Sequence, residues 1–238
     1  MHKHLLAALI LLATTANAAS LTVNPIRLEL GAKQAATSMT IGNAADTPTT
    51  VQVSAYHWRH QDGGDQLEPA TGADAPIITP PMFRLAPGAS QIVRIGFAGG
   101  QSSEDEGRWR LIIEEVPQPQ VQAVPVALAP MQIATRLRVS MPLFRLPVVT
   151  RSVLDWRLDD DGSTLLVANR GSTTERIDQA QLSAAGSTLA RVDGPVYLFP
   201  GEARQYPLSM PAPSGTPAQL NVQGSVPVDD HALALPAE

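Results

Sequence analysis

The chain has 238 residues, a formal net charge of −5 and no cysteine. Without thiols there are no disulfides and no thiolate-held zinc or iron–sulfur centres, so the fold must rest on apolar burial and backbone hydrogen bonding. The negative charge is mild and dispersed, with no basic stripe of the kind that follows a phosphate backbone, which argues against nucleic acid as a partner.

His2 and Lys3 precede an apolar run from Leu5 to Ala13, and Ala16-Asn17-Ala18 closes the stretch with small residues. This pattern predicts a cleavable secretory signal peptide over residues 1–18. The run is far shorter than the roughly 20 residues of a membrane-spanning helix. No later stretch is apolar for long enough to span, so a soluble exported protein without stable membrane insertion is expected. What remains is long enough for two domains of about 110 residues, each with its own core.

Along the chain, apolar residues recur mainly with period two, as on half-buried strands. Leu21, Val23, Ile26, Leu28 and Leu30 read as one early run, and Val51, Val53 and Ala55, followed by Trp58, as another. Gly42-Asn43, Asp62-Gly63-Gly64, Pro87-Gly88 and Gly99-Gly100 punctuate them as turns of an antiparallel sandwich. A strand from Trp109 to Val116 follows, then a loop, an alternating apolar strand, and a segment from Thr135 to Phe144.

The best domain boundary lies near Pro147. Beyond it, strands are expected over Ser152 to Leu158, Thr164 to Asn169, Arg176 to Ser183, Pro195 to Phe199, Arg204 to Leu208 and Gln219 to Val226. The stretch from Asp229 to Glu238 carries little pattern and is expected to fray. No internal repeat is evident. Proline and glycine interrupt every candidate helix. The fold class is therefore all-β, with two immunoglobulin-like β-sandwich domains over residues 19–147 and 148–238.

Enzyme chemistry finds little support. Glu114 and Glu115 are adjacent on a strand, so they face opposite sides and cannot flank one glycosidic bond. His57 and His60, three apart, also fall on opposite faces of a regular strand, which disfavours a metal site. Asp159-Asp160-Asp161-Gly162 resembles part of a calcium loop but lacks the remaining ligands, and reads as a hairpin turn. With no nucleophile elbow and no glycine-rich phosphate loop, neither catalysis nor any cofactor or metal is expected.

Five ordered segments carry a resemblance. They are Asn24-Pro25-Ile26-Arg27-Leu28-Glu29-Leu30; Ile78-Thr79-Pro80-Pro81 with Arg84-Leu85-Ala86-Pro87-Gly88 and Val93-Arg94; the strand ending in Glu114-Glu115-Val116-Pro117; Thr135-Arg136-Leu137-Arg138-Val139-Ser140-Met141-Pro142-Leu143-Phe144; and Leu198-Phe199-Pro200-Gly201 with Arg204-Gln205-Tyr206. In type and order they resemble the periplasmic pilus assembly chaperones of the usher pathway, the PapD-like proteins. The nearest likeness is to the archaic branch, whose last strand ends in an S-M/I-P-L/V-F element.

That resemblance implies two immunoglobulin-like domains in a boomerang arrangement. It also implies a function: binding, stabilising and capping fimbrial subunits by donor-strand complementation, then delivery to an outer-membrane usher. Chaperone–pilin complementation is itself a standard instance of β-strand addition, in which main-chain bonds supply affinity and alternate side chains fill a groove. The implied donor residues are Val126, Leu128, Met131 and Ile133, with Pro130, which lacks a backbone donor, confined to an edge or bulge.

The implied anchors for the subunit's terminal carboxylate are Arg27 and Arg138, and alignment through Thr135 leaves Arg136 as the alternative. The family also places Glu115 in a polar contact near the hinge, with Arg145 a candidate partner. An exposed apolar edge makes a self-capping oligomer a further expectation. The alternative reading is an exported immunoglobulin-like binding module, such as an adhesin or a pilus subunit.

Overall fold

A computed structural model describes residues 21–98, 104–116, 136–210, 218–225 and 228–233. The donor-strand residues Val126, Leu128, Met131 and Ile133 lie outside the described residues, as do Pro130 and residues 1–18. The described residues form strands and turns with no helix. By compactness the chain divides into two units, one of residues 1–28, 36–98 and 110–142, the other of residues 29–35, 99–109 and 143–238.

The first ten strands are β1 (Leu21–Asn24), β2 (Leu28–Leu30), β3 (Ala36–Asn43), β4 (Thr49–Gln61), β5 (Gly64–Pro69), β6 (Ile77–Thr79), β7 (Met82–Leu85), β8 (Ser90–Gly96), β9 (Gly107–Glu115) and β10 (Arg138–Arg145). They make a four-stranded sheet in the order β1-β3-β8-β6 and a second sheet in the order β2-β10-β9-β4-β5, with β7 also on β4. The alternation read from sequence sets the inner faces. Met39 and Ile41 on β3 and Val93 and Ile95 on β8 are buried, as are Val51 and Val53 on β4 and Leu111 and Ile113 on β9. Each such side chain contributes roughly 1.5–3 kcal/mol by leaving water.

The run from Leu21 to Leu30 is not one strand, as expected, but two. β1 pairs with β3, while β2 lies beside β10 in the other sheet. The phase explains the break: Leu21 and Val23 carry odd numbers, the buried Leu28 and Leu30 even ones, and a continuous strand would put the pairs on opposite faces. Pro25 has no N–H to continue the β1–β3 ladder. Ile26 is consequently 68 % exposed, and Arg27 sits in the bend between the strands rather than within one.

The remaining strands are β11 (Leu154–Leu158), β12 (Thr164–Asn169), β13 (Glu175–Ala184), β14 (Ser187–Leu198), β15 (Ala203–Pro207), β16 (Ala218–Gly224) and β17 (Val228–Leu233). They form the sheets β11-β12-β15 and β14-β13-β16-β17, whose inner faces bury a core around Trp156, Leu165, Val167, Ile177, Leu182 and Leu220.

Two expectations need correction here. β14 begins at Ser187, eight residues before the expected Pro195, because Ala185 and Gly186 take the left-handed conformations (φ 49° and 76°) that close a tight hairpin with β13. β17, in the stretch expected to fray, pairs antiparallel with β16, Gln219 opposite Ala232.

Candidate functional site

The residues singled out as anchors belong to the first unit. Arg27 is half-buried in the β1–β2 bend. Arg138 opens β10 with its side chain 61 % exposed, and its Nε lies 4.0 Å from Oε2 of Glu114 on β9, beyond hydrogen-bond reach. Arg136, two residues earlier, is also exposed. Being two apart in an extended segment, Arg136 and Arg138 share a side.

Leu137, between them, fixes the direction of the backbone. The Glu115 N–H donates to the Leu137 carbonyl at 3.2 Å, and the Leu137 N–H donates to the Glu115 carboxylate Oε2 at 3.3 Å. Both main-chain groups of Leu137 are thus turned toward β9. In an extended segment, neighbouring residues direct these groups to opposite edges, so those of Arg136 and Arg138 point away from β9.

On that far side the neighbouring strand is β2. It is only three residues long, and the Leu30 carbonyl accepts the Leu146 N–H at 2.9 Å, at the other end of β10. At 3.3 Å per residue, β2 spans roughly 7 Å, whereas Arg138 precedes Leu146 by eight residues of chain. Among the described strands, the start of β10 is therefore an edge lined by two guanidinium groups. Burial along β10 follows the same division: Arg138, Val139 and Ser140 are exposed or half-exposed, and Met141 through Phe144 are buried.

Glu114 and Glu115 do different work. Glu114 faces Arg138, whereas the Glu115 carboxylate accepts the Thr49 hydroxyl at 3.2 Å as well as the Leu137 N–H. Arg145 is not the Glu115 partner: its Cβ lies against Gly107, at the opposite end of β9.

A second carboxylate went unrecognised in the sequence. In the second unit, Glu106 is buried with Oε1 accepting the Thr174 N–H at 2.9 Å and Oε2 accepting the Thr174 hydroxyl. Arg108 Nη1 is 3.8 Å from the same carboxylate, and its guanidinium lies 4.5 Å over the Phe199 ring. The available signal was an acid just ahead of the aromatic-basic start of an apolar strand.

The two histidines hold different acids. His57 Nε2 is 3.7 Å from Asp74, and His60 Nε2 is 3.1 Å from Asp65. Among the described residues no group of three histidines or acids is arranged to hold a metal ion. The Asp159-Asp160-Asp161-Gly162 segment turns β11 into β12, with the Asp159 carboxylate accepting the Ser163 and Thr164 N–H groups at 2.8 and 2.9 Å.

Comparison with known proteins agrees with this architecture. The chain is 26 % identical over 216 residues to the "Probable fimbrial chaperone EcpB" of Klebsiella pneumoniae, covering 87 % of this chain and 89 % of that one. Its fold resembles that of the SafB chaperone in complex with the SafA pilin of Salmonella enterica (TM-score 0.63, 19 % identity, 92 % of this chain and 98 % of that one). It also resembles the CupB2 chaperone of Pseudomonas aeruginosa (0.62, 18 %, 90 % and 100 %). A third likeness is to the archaic CsuC–CsuE chaperone–adhesion subunit complex of Acinetobacter baumannii (0.60, 16 %, 90 % and 97 %).

These last three likenesses are of fold, two immunoglobulin-like domains, and the family profile for the PapD N-terminal domain matches residues 20–151. The chain is therefore a member of the pili and flagellar-assembly chaperone family.

Proposed function

We propose that this protein captures fimbrial subunits by pairing a strand of the subunit along the edge that opens β10, with the subunit's terminal carboxylate held by Arg138 and Arg27. It is a chaperone of the periplasm, where a subunit lacking a strand exposes an apolar groove and unpaired backbone groups that invite aggregation.

The observation that carries the reading is the edge at Arg136 and Arg138, with backbone groups directed away from β9 and two exposed guanidinium groups beside them. A planar guanidinium can hold a carboxylate through two parallel charge-assisted hydrogen bonds. Donor side chains come from Val126, Leu128, Met131 and Ile133, upstream of that edge. Residues 1–18 direct export and are removed, residues 19–147 form the subunit-binding domain and residues 148–238 the second domain. The loaded chaperone delivers its subunit to an outer-membrane usher, and the free chaperone caps its own edge by self-association. The work is binding, without bond chemistry or cofactor.

Periplasmic co-expression with a fimbrial subunit, followed by pull-down of wild type and Arg27→Ala, tests the reading. Wild type retains the subunit and the variant loses it while staying folded. Normal recovery with Arg27→Ala would reject that anchor, and no recovery with either form would favour a binding module of another kind.

A further inference from the structure

We propose that Glu115 is a positioning residue for subunit capture: its carboxylate replaces the last rung of the β9–β10 ladder and thereby fixes where Arg136 and Arg138 stand. The inference rests on the anchor reading above and names the side chain that sets its geometry.

In an antiparallel hydrogen-bonded pair, two residues exchange both N–H···O=C bonds. Leu137 and Glu115 exchange only one through the backbone, from the Glu115 N–H to the Leu137 carbonyl at 3.2 Å. The next residue faces the other neighbour, as alternation along a central strand requires: the Val116 N–H donates to the Thr50 carbonyl of β4 at 2.8 Å. The Leu137 N–H is instead taken by Glu115 Oε2 at 3.3 Å, while Oε1 is steadied by the Thr49 hydroxyl at 3.2 Å.

A side chain fixed on β4 thus holds the residue between the two arginines. Removing it leaves the Leu137 N–H without its acceptor and frees the segment to shift. A two-residue slip would exchange Arg136 for Arg138 at the carboxylate, and a one-residue slip would turn both away.

The probe is a lysine-capped Val-Thr repeat peptide with a free C-terminal carboxylate, compared with the same peptide as its C-terminal amide. Wild type should prefer the acid by about tenfold, as one strengthened hydrogen bond to a carboxylate allows. Glu115→Ala should bring the preference below about twofold. Glu115→Gln, whose amide carbonyl still accepts the Leu137 N–H, should stay within about threefold of wild type.

Thr49→Val removes only the supporting bond and is expected to give an intermediate loss, which keeps the test open if Glu115→Ala does not fold. A role in general stability would lower the melting temperature without changing the acid-over-amide ratio. An unchanged ratio in Glu115→Ala, or in Thr49→Val if the alanine variant does not fold, overturns the inference. Arg136→Ala/Arg138→Ala separates the two levels. If it abolishes the preference while Glu115→Ala keeps it, only the positioning role falls, and if wild type itself shows no preference, the anchor reading falls and takes this inference with it.

Discussion

Asn43 and Asn169 share a pattern of hydrogen bonds, one in each unit. Nδ2 of Asn43 donates to the Thr47 carbonyl at 2.8 Å, and Nδ2 of Asn169 to the Thr173 carbonyl at 2.8 Å. Oδ1 accepts the N–H two residues on, from Ala45 in one case and Gly171 in the other. Both backbones tie into a Pro-Gly turn, Gly88 donating to the Asn43 carbonyl and Gly201 to the Asn169 carbonyl. Both amides also reach the leucine ahead of that turn, Leu85 or Leu198. Each is a short polar bolt joining a strand end to the turn that enters β8 or β15.

Replacing either asparagine by alanine should therefore cost stability. Each change removes at least three side-chain hydrogen bonds, each worth about 0.5–1.5 kcal/mol net. We expect roughly 2–3 kcal/mol for Asn169→Ala and for Asn43→Ala, read from urea unfolding followed by tryptophan fluorescence. A loss under about 0.5 kcal/mol would mean that water replaces the amide at no cost.

Two glycines press on β13 at its bulge. A Cβ on Gly224 would stand 2.0 Å from the Arg176 carbonyl oxygen, and one on Gly194 2.3 Å from that of Ile177. Gly224→Ala should cost at least about 2 kcal/mol, because backbone and not a mobile side chain must give way. Gly88 offers the contrast: its space is open but its φ is +71°, so Gly88→Ala should cost only about 1–2 kcal/mol, from conformation alone. Equal losses in the two variants would contradict the steric account.

The Asp159 turn predicts a pH dependence. Desolvation pushes its carboxyl upward, but hydrogen bonds from the Thr164 backbone and side chain, the Asp161 side chain and the Ser163 backbone outweigh it and bring the pKa from 3.8 to about 2. A carboxyl whose folded pKa is depressed adds stability that is fully present above its unfolded pKa and is lost as pH falls through the folded value. The turn should thus weaken between about pH 4 and pH 2. Carboxyl NMR titration of Asp159 should give a midpoint near 2, and a midpoint near the ordinary aspartate value of about 3.9 would refute the turn's hydrogen bonding.

The anchors predict a loss of capture without a loss of fold. Because the Arg138 side chain is 61 % exposed, its substitution should unfold nothing. Truncating one partner of a carboxylate pair that is desolvated on binding costs about 2–5 kcal/mol, so Arg138→Ala should weaken subunit binding more than tenfold in calorimetric titration. Retained affinity together with an effect of Arg136→Ala would transfer the role to Arg136.

Much of this was legible in the sequence, for physical reasons. Period-two burial on β12, where Leu165 and Val167 face inward, located a strand to the residue. The Asp62-Gly63 turn was legible because both residues need positive φ, a demand that restricts residue choice. Less visible were features set by distant partners. The Ala185-Gly186 hairpin lacks the usual asparagine or aspartate, and β17 owes its order to β16 rather than to any pattern of its own.

The twin asparagines escaped notice as a repeat because the shared elements, an Asn with a Thr four residues on and a Leu-x-Pro-Gly turn, are too sparse to register until the hydrogen bonds join them. At the candidate site the arginines proposed as anchors stand out by motif. The role proposed for Glu115 does not, since a side chain accepting from a backbone N–H leaves no trace in spacing.

The edge itself can be tested most directly by hydrogen exchange of the Arg136, Leu137, Arg138 and Ser140 amides, in the free chaperone and in its complex with a fimbrial subunit. The Leu137 amide, bound by Glu115, should be slow in both states. The amides of Arg136, Arg138 and Ser140 should exchange fast in the free chaperone at dilutions where it is monomeric, and slow by at least about a hundredfold in the complex, as strand pairing requires. If those three stay fast in a complex that retains its subunit, the strand is not added at this edge, and the account of capture is wrong.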